Sequence, residues 1–166
     1  MHSMNDNRVY ERTIVNGLEA YLNKFIKCKV VLGNSKYPAP SYPYVSYNIT
    51  TPIVAKGGTW EKHKDSDRMQ LLQIWSFTAQ SDNVDESIQM AMLAYEYFDH
   101  VGRLELADGN IVAVSVTNIT NRDNVISSAY EYRNGFDVTF RMTQTVAKPE
   151  NGEIATVEFD KNITKG

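Results

Sequence analysis

The side chains that most often perform chemistry are sparse in this chain, and they are not spaced for it. Its three histidines are His2, His63 and His100. None lies four residues from another, and none sits beside cysteine or clustered carboxylates at zinc-ligand spacing. His63 falls in a polar loop, and His100 near a helix end, where a cation suits the dipole. Asp65-Ser66-Asp67 lacks the glycine and the downstream glutamate of a calcium loop. Asp82, Asp85 and Glu86 gather at a helix start, where capping and dipole effects account for them. Gly57-Gly58 precedes no helix and carries no Lys-Ser/Thr pair, so it does not read as a phosphate loop. The single cysteine, Cys28, can form neither an internal disulfide nor a cysteine-based zinc site. No catalytic constellation results, and neither an enzymatic activity nor a cofactor or metal is expected.

The most distinctive polar features lie late in the chain. They are Arg122-Asp123-Asn124 and the run Tyr130-Glu131-Tyr132-Arg133-Asn134-Gly135-Phe136-Asp137. One reading is a turn with local side-chain–backbone bonds, followed by an ordinary exposed strand face. The other is a binding surface built from Arg122, Asp123, Asn124, Glu131 and Arg133.

Composition narrows the class of protein that carries them. The 166 residues suit one domain, or one domain plus an arm. With 42% hydrophobic residues the chain can close a core, so wholesale disorder is excluded. A net charge of −3 argues against a protein that holds DNA by neutralising phosphates. Ten tyrosines against six phenylalanines favour half-buried strands and contact surfaces. The N-terminus lacks the apolar stretch of a signal peptide, and no apolar run approaches the roughly 18 residues of a membrane span. A reducing, cytoplasmic setting without a membrane is therefore expected.

Hydrophobic periodicity predicts the elements. Val9–Lys27 reads as a helix with Tyr10, Ile14, Leu18, Tyr21, Leu22, Phe25 and Ile26 on one stripe. Asp6 or Asn7 can cap its start, and Gly17 marks a close contact within it. A short run, Cys28–Leu32, precedes a proline-rich stretch, 33–43, that excludes a central strand. Tyr44–Thr51 and Met69–Gln80 read as strands, and Ala55–Arg68, with Trp60, as a loop. Asn83 with Glu86 has capping-box spacing for a second helix, Val84–Val101, closed by Gly102. Its predicted apolar stripe is Val84, Ile88, Ala91, Met92, Tyr95 and Phe98. Ile111–Ile119 alternates with Val112, Val114 and Val116 on one face, and Val125–Arg133 is a further strand. Phe136, Val138, Phe140 and Met142 alternate with polar residues. Asn134-Gly135 signals either a two-residue hairpin or a bulge in one long strand. The order helix, strands, helix, strands predicts an α+β fold, an antiparallel or mixed sheet flanked by two amphipathic helices.

Four of these segments carry a family resemblance: PYVSYNIT at 43–50, QIWSFTAQSDNVDES at 73–87, NRDN at 121–124 and YEYRNGFDVTF at 130–140. In this order they resemble the neck or tail terminator proteins of long-tailed bacteriophages, over about Val9 to Val146. The resemblance implies a structural virion protein of the neck or tail, assembled in the host cytoplasm. It implies a homo-oligomer, a hexameric ring, at the head-proximal end of the tail tube. Such a ring terminates tail assembly and joins the tail to the head connector, with tail tube protein and head–tail connector proteins as partners. DNA passes through without specific binding, which an acidic chain suits better than a basic one. A head-completion or stopper connector protein is the alternative, and a small-molecule-binding α+β domain a third reading.

Two further expectations follow. Residues 1–148 form the domain and 149–166 a polar tail or arm. The loop 55–68 and that tail are expected to be mobile in the free subunit and to order on docking. Each carries isolated large apolar residues, Trp60 in the loop and Ile154, Val157 and Phe159 in the tail. With Arg122, Asp123, Asn124, Glu131 and Arg133, Trp60 completes the candidate subunit or partner interface.

Overall fold

The computed structural model describes residues 4–54, 60–126 and 129–148. The tail 149–166, Gly57-Gly58 and the Asn124 side chain lie outside what is described.

The first helix, α1, spans Met4–Leu22, so it takes in Asp6 and Asn7 rather than starting at them. Ile14, Leu18 and Leu22 are fully buried along its stripe. The helix stops five residues before the predicted end because Asn23 intervenes. Its Nδ2 donates to Glu19 O at 2.6 Å and to Cys28 O at 2.7 Å, while its Oδ1 accepts from Cys28 N at 3.2 Å. The asparagine thus satisfies a late helix carbonyl and turns the chain, in place of a cationic last turn. Phe25 is left exposed.

Eight strands follow among the described residues: β1 (Lys29–Leu32), β2 (Tyr44–Thr51), β3 (Glu61–Lys62), β4 (Ser66–Ser81), β5 (Val112–Val116), β6 (Thr120–Asn121), β7 (Asn124–Ile126) and β8 (Ala129–Ala147). The main sheet order is β1-β2-β4-β8-β5. Only β1 and β2 run parallel, so the sheet is mixed, as the α+β reading allowed. The predicted loop 55–68 ends early: β3 pairs with the first turn-side residues of β4, which starts at Ser66 rather than Met69.

Asn134-Gly135 is not a hairpin. β8 runs straight through it, with Asn134 opposite Ala79 and Gly135 opposite Thr78, in unbroken register with β4. β6 pairs across the same two residues on the other side. The glycine serves close approach instead: a Cβ there would collide with Phe77 O and lie 2.8 Å from Arg122 Nη1. The predicted face Val112-Val114-Val116 is also broken. A register shift between Ala113 and Ser115 puts Ala113 in the core and leaves Val114 exposed.

The second helix, α2, spans Val84–Glu96, continues as a π-helical turn at Tyr97–Val101, and is followed by a short α3, Arg103–Asp108. Asn83 caps it as predicted, accepting from Glu86 N at 3.0 Å. Its buried face is Ser87, Met90, Ala91 and Ala94, joined by Tyr97 and Phe98 beyond its end. Val84, Ile88 and Met92, predicted inside, are exposed. Ser87 can lie against the sheet because its hydroxyl donates to Ala79 O and accepts from Asn134 Nδ2, both at 3.0 Å. Ala91 and Ala94 let the helix come close. The π turn then advances the phase so that Tyr97 and Phe98 both face inward. Tyr97 fills the space that Gly17 and Gly102 leave, since a Cβ on either would collide with its ring or hydroxyl. Gly17 is therefore the close contact its position in α1 predicted.

All helices pack on one sheet face. Across that face run the rows Val45–Ala79–Asn134, Tyr47–Phe77–Phe136 and Ile49–Trp75–Val138, with the Phe98 ring tilted against Phe77 at 4.6 Å between centroids. Cys28 is buried beside this core, and burial, with the Glu19 carboxylate, pushes its thiol up to about 12. At pH 8 the folded chain should react with iodoacetamide roughly a thousandfold more slowly than the unfolded chain, because the thiolate is the nucleophile. Thiol-labelling rates with and without denaturant check this; equal rates would contradict it.

Candidate functional site

The opposite face of the sheet is polar. Alternation along β2, β4 and β8 places Tyr44, Gln80 and Arg133 in one row, Ser46, Thr78 and Gly135 in the next, and Asn48, Ser76 and Asp137 in a third. Arg122, from the segment between β6 and β7, lies across these rows. Its Nη1 donates to Ser76 Oγ at 2.6 Å and to Thr78 Oγ1 at 3.1 Å, and its Nη2 to Asp137 Oδ1 at 3.2 Å. Gly135 is the gap that admits the guanidinium.

Asp123 ties the same segment to β8: its Oδ1 accepts from Arg133 N at 2.7 Å, and its Oδ2 from Asn121 Nδ2 at 3.1 Å. Arg133 lies 3.5 Å from Glu131 through Nε, and its Nη2 donates to the Gln80 amide oxygen at 3.1 Å. Glu131, expected at the surface, is buried. It can be so because Tyr42 donates to it at 2.6 Å while Arg133 supplies positive charge. The bond to Glu131, with some burial, pushes the Tyr42 hydroxyl up to about 12. Burial and the same carboxylate raise Tyr44.

Four of the six predicted residues, Arg122, Asp123, Glu131 and Arg133, thus form one network at one end of the sheet. Asn124 starts β7, opposite Glu131. Trp60 is not with them. It is exposed and precedes β3 at the other end of the β4–β8 ribbon, whose sixteen paired residues span about 50 Å. Gln80, Ser76 and Thr78 were not singled out in the sequence. The three strand residues could have been found as same-face neighbours of Arg133 and Gly135, had the register been known.

The proline-rich segment 33–40 borders this face and forms with it an open pocket of about 450 Å³, lined in part by Tyr37, Pro38, Tyr44, Gln80 and Arg133. No nucleophile faces a base there. Among the described residues no three His, Cys, Asp or Glu side chains converge on a metal position, and no helix is long and apolar enough to cross a membrane. The arrangement offers shape, tyrosine rings and fixed donors, which suits recognition.

Among curated proteins none matches the chain in sequence. One similar solved structure is a chain from the virion of a native gene transfer agent particle; it is 11% identical, covers 80% of this chain and 92% of its own, and has a TM-score of 0.34. The phage neck terminator protein family matches residues 12–166, which takes in every element described from the third turn of α1 onward. The chain belongs to that family, and is a bacteriophage structural protein of the neck.

Proposed function

We propose that the protein assembles as a homo-oligomeric ring, hexameric by the family resemblance, at the head-proximal end of the tail tube. There it stops tube growth and joins the tail to the head connector, without catalysis or cofactor, while DNA passes through. Family membership over nearly the whole chain is the observation that carries this reading. An acidic chain supports it, since a conduit for DNA should not bind phosphates. Host-cytoplasmic assembly, and an arm formed by residues 149–166 beyond the domain, belong to the same proposal. Arg122, Asp123, Asn124, Glu131, Arg133 and Trp60 serve its subunit or partner contacts.

Electron microscopy of the purified protein, alone and on tail tubes, together with native mass measurement, tests the proposal. A strict monomer that joins neither tubes nor connectors overturns it. Co-purification with filled heads lacking tails would assign the stopper role instead.

Arg133→Ala should weaken assembly about tenfold while the monomer stays folded. A drop of about 3–9 °C in Tm is expected, corresponding to about 1–3 kcal/mol, because the buried Glu131 carboxylate loses its cation but keeps its Tyr42 bond. Sedimentation velocity and thermal melting measure the two effects. Unfolding, or undiminished assembly, would count against the role.

A further inference from the structure

Two unpartnered patches lie on opposite flanks of the helical layer. The first is on α2, where Val84, Ile88 and Met92 recur every four residues at 43%, 40% and 58% exposure. Asp85 stands beside them, three residues before Ile88 and seven before Met92, and Asp82 precedes the helix. This patch is apolar with an acidic border. It shares its flank with Tyr95, whose ring packs on Phe136 of β8 at 5.8 Å. The stripe therefore looks away from the β1 side of the subunit.

The second patch is at that β1 side. Arg8, Arg12 and Val15 of α1 and Leu32 of β1 line a groove of about 430 Å³ with Tyr47 at its floor. Glu11 is also in the groove, with its carboxylate held by the Tyr47 hydroxyl. Arg8 and Arg12 are exposed and take part in no ion pair among the described residues. Leu32 and Val9 add exposed apolar surface beside them. This patch is apolar with a basic border.

We propose that the occupant of each patch is the other patch on a second copy of the chain. Val84, Ile88 and Met92 of one subunit seat against Val15 and Leu32 of its neighbour, with Asp85 and Asp82 facing Arg12 and Arg8. Opposite charges around matched apolar centres fit this pairing, and like charges disfavour each patch meeting itself. The contact is heterologous, the kind a ring requires, and it uses surfaces on two sides of one subunit. It leaves the Trp60 end of the ribbon free for the tube or connector. This inference rests on the ring reading above and assigns its subunit contact.

Charge reversal tests it in the full-length protein by native mass measurement and sedimentation. Asp85→Arg and Arg12→Glu should each weaken assembly about tenfold or more, and Ile88→Asp about a hundredfold, with circular dichroism unchanged. Mixing the two charge-reversed proteins should restore assembly. In the mixture one type of contact regains its native pair, and the other has both charges exchanged. Wild-type assembly in all three variants, or failure of the mixture to recover, overturns the contact while the wild-type ring still stands. A wild-type protein that forms no ring overturns the ring reading itself.

Discussion

Phe77→Ala should lower stability by about 3–5 kcal/mol, the largest single effect expected in this chain. Phe77 is fully buried at the centre of the helix-covered sheet face. Its ring meets Tyr47, Trp75, Phe98, Phe136 and Phe140, with centroids between 4.6 and 6.5 Å. Truncation removes the transfer energy of the ring and leaves a cavity that two strands in fixed register cannot close. Against a total of about 5–15 kcal/mol that is a large fraction, and Tm should fall by roughly 10 °C. Thermal and denaturant unfolding followed by circular dichroism measure it. A loss below about 1 kcal/mol would mean that this aromatic cluster is not the core.

Gly135→Ala is the second. The added methyl meets the Phe77 carbonyl, which the β-ladder fixes, and presses on Arg122 Nη1 and Thr78 Oγ1 at 2.8 and 2.9 Å. Overpacking of this kind costs about 1–3 kcal/mol, and displacing the guanidinium removes charge-assisted bonds worth about as much again. A total near 3 kcal/mol is expected. A double-mutant cycle with Arg122→Ala separates the parts: with the arginine gone, the alanine should cost less than it does in the wild type. If the cycle shows no coupling, Gly135 is not the gap that seats Arg122.

These two residues also show what the sequence could and could not reveal. Alternation alone puts Phe77 with Trp75 and Ala79 on one face of the Met69–Gln80 strand, because a strand lying on a core writes its burial into every second residue. The Asn83–Glu86 cap was equally legible, since capping is local chemistry. Gly135 was legible only as a glycine needing a reason. Local rules offered a hairpin or bulge, whereas the reason is a side chain arriving from residue 122. α2 failed for a related cause. Two apolar stripes adjoin on that helix, and periodicity ranks them by hydrophobicity, not by which lies against the sheet. Ser87 settles the choice through bonds to Ala79 and Asn134, partners that no window around the helix contains. The candidate site was visible as a run of polar residues. Its network was not, because Ser76, Thr78 and Gln80 join it only through strand register, and Tyr42 reaches Glu131 from the loop before β2.

The length of the β4–β8 pairing has a mechanical meaning. Sixteen residue pairs run from Ser66–Ala147 to Ser81–Tyr132 without a slip. The hydrogen bonds of an antiparallel pair lie across the strands. A pull along the ribbon, between its Ser66–Ala147 end and the end that carries the Arg122 network, loads all of them together in shear. A pull across it would open them one after another, like a zipper. The subunit therefore resists tension best along its strands, and a neck that holds a head to a tail gains most strength when these ribbons run parallel to the load.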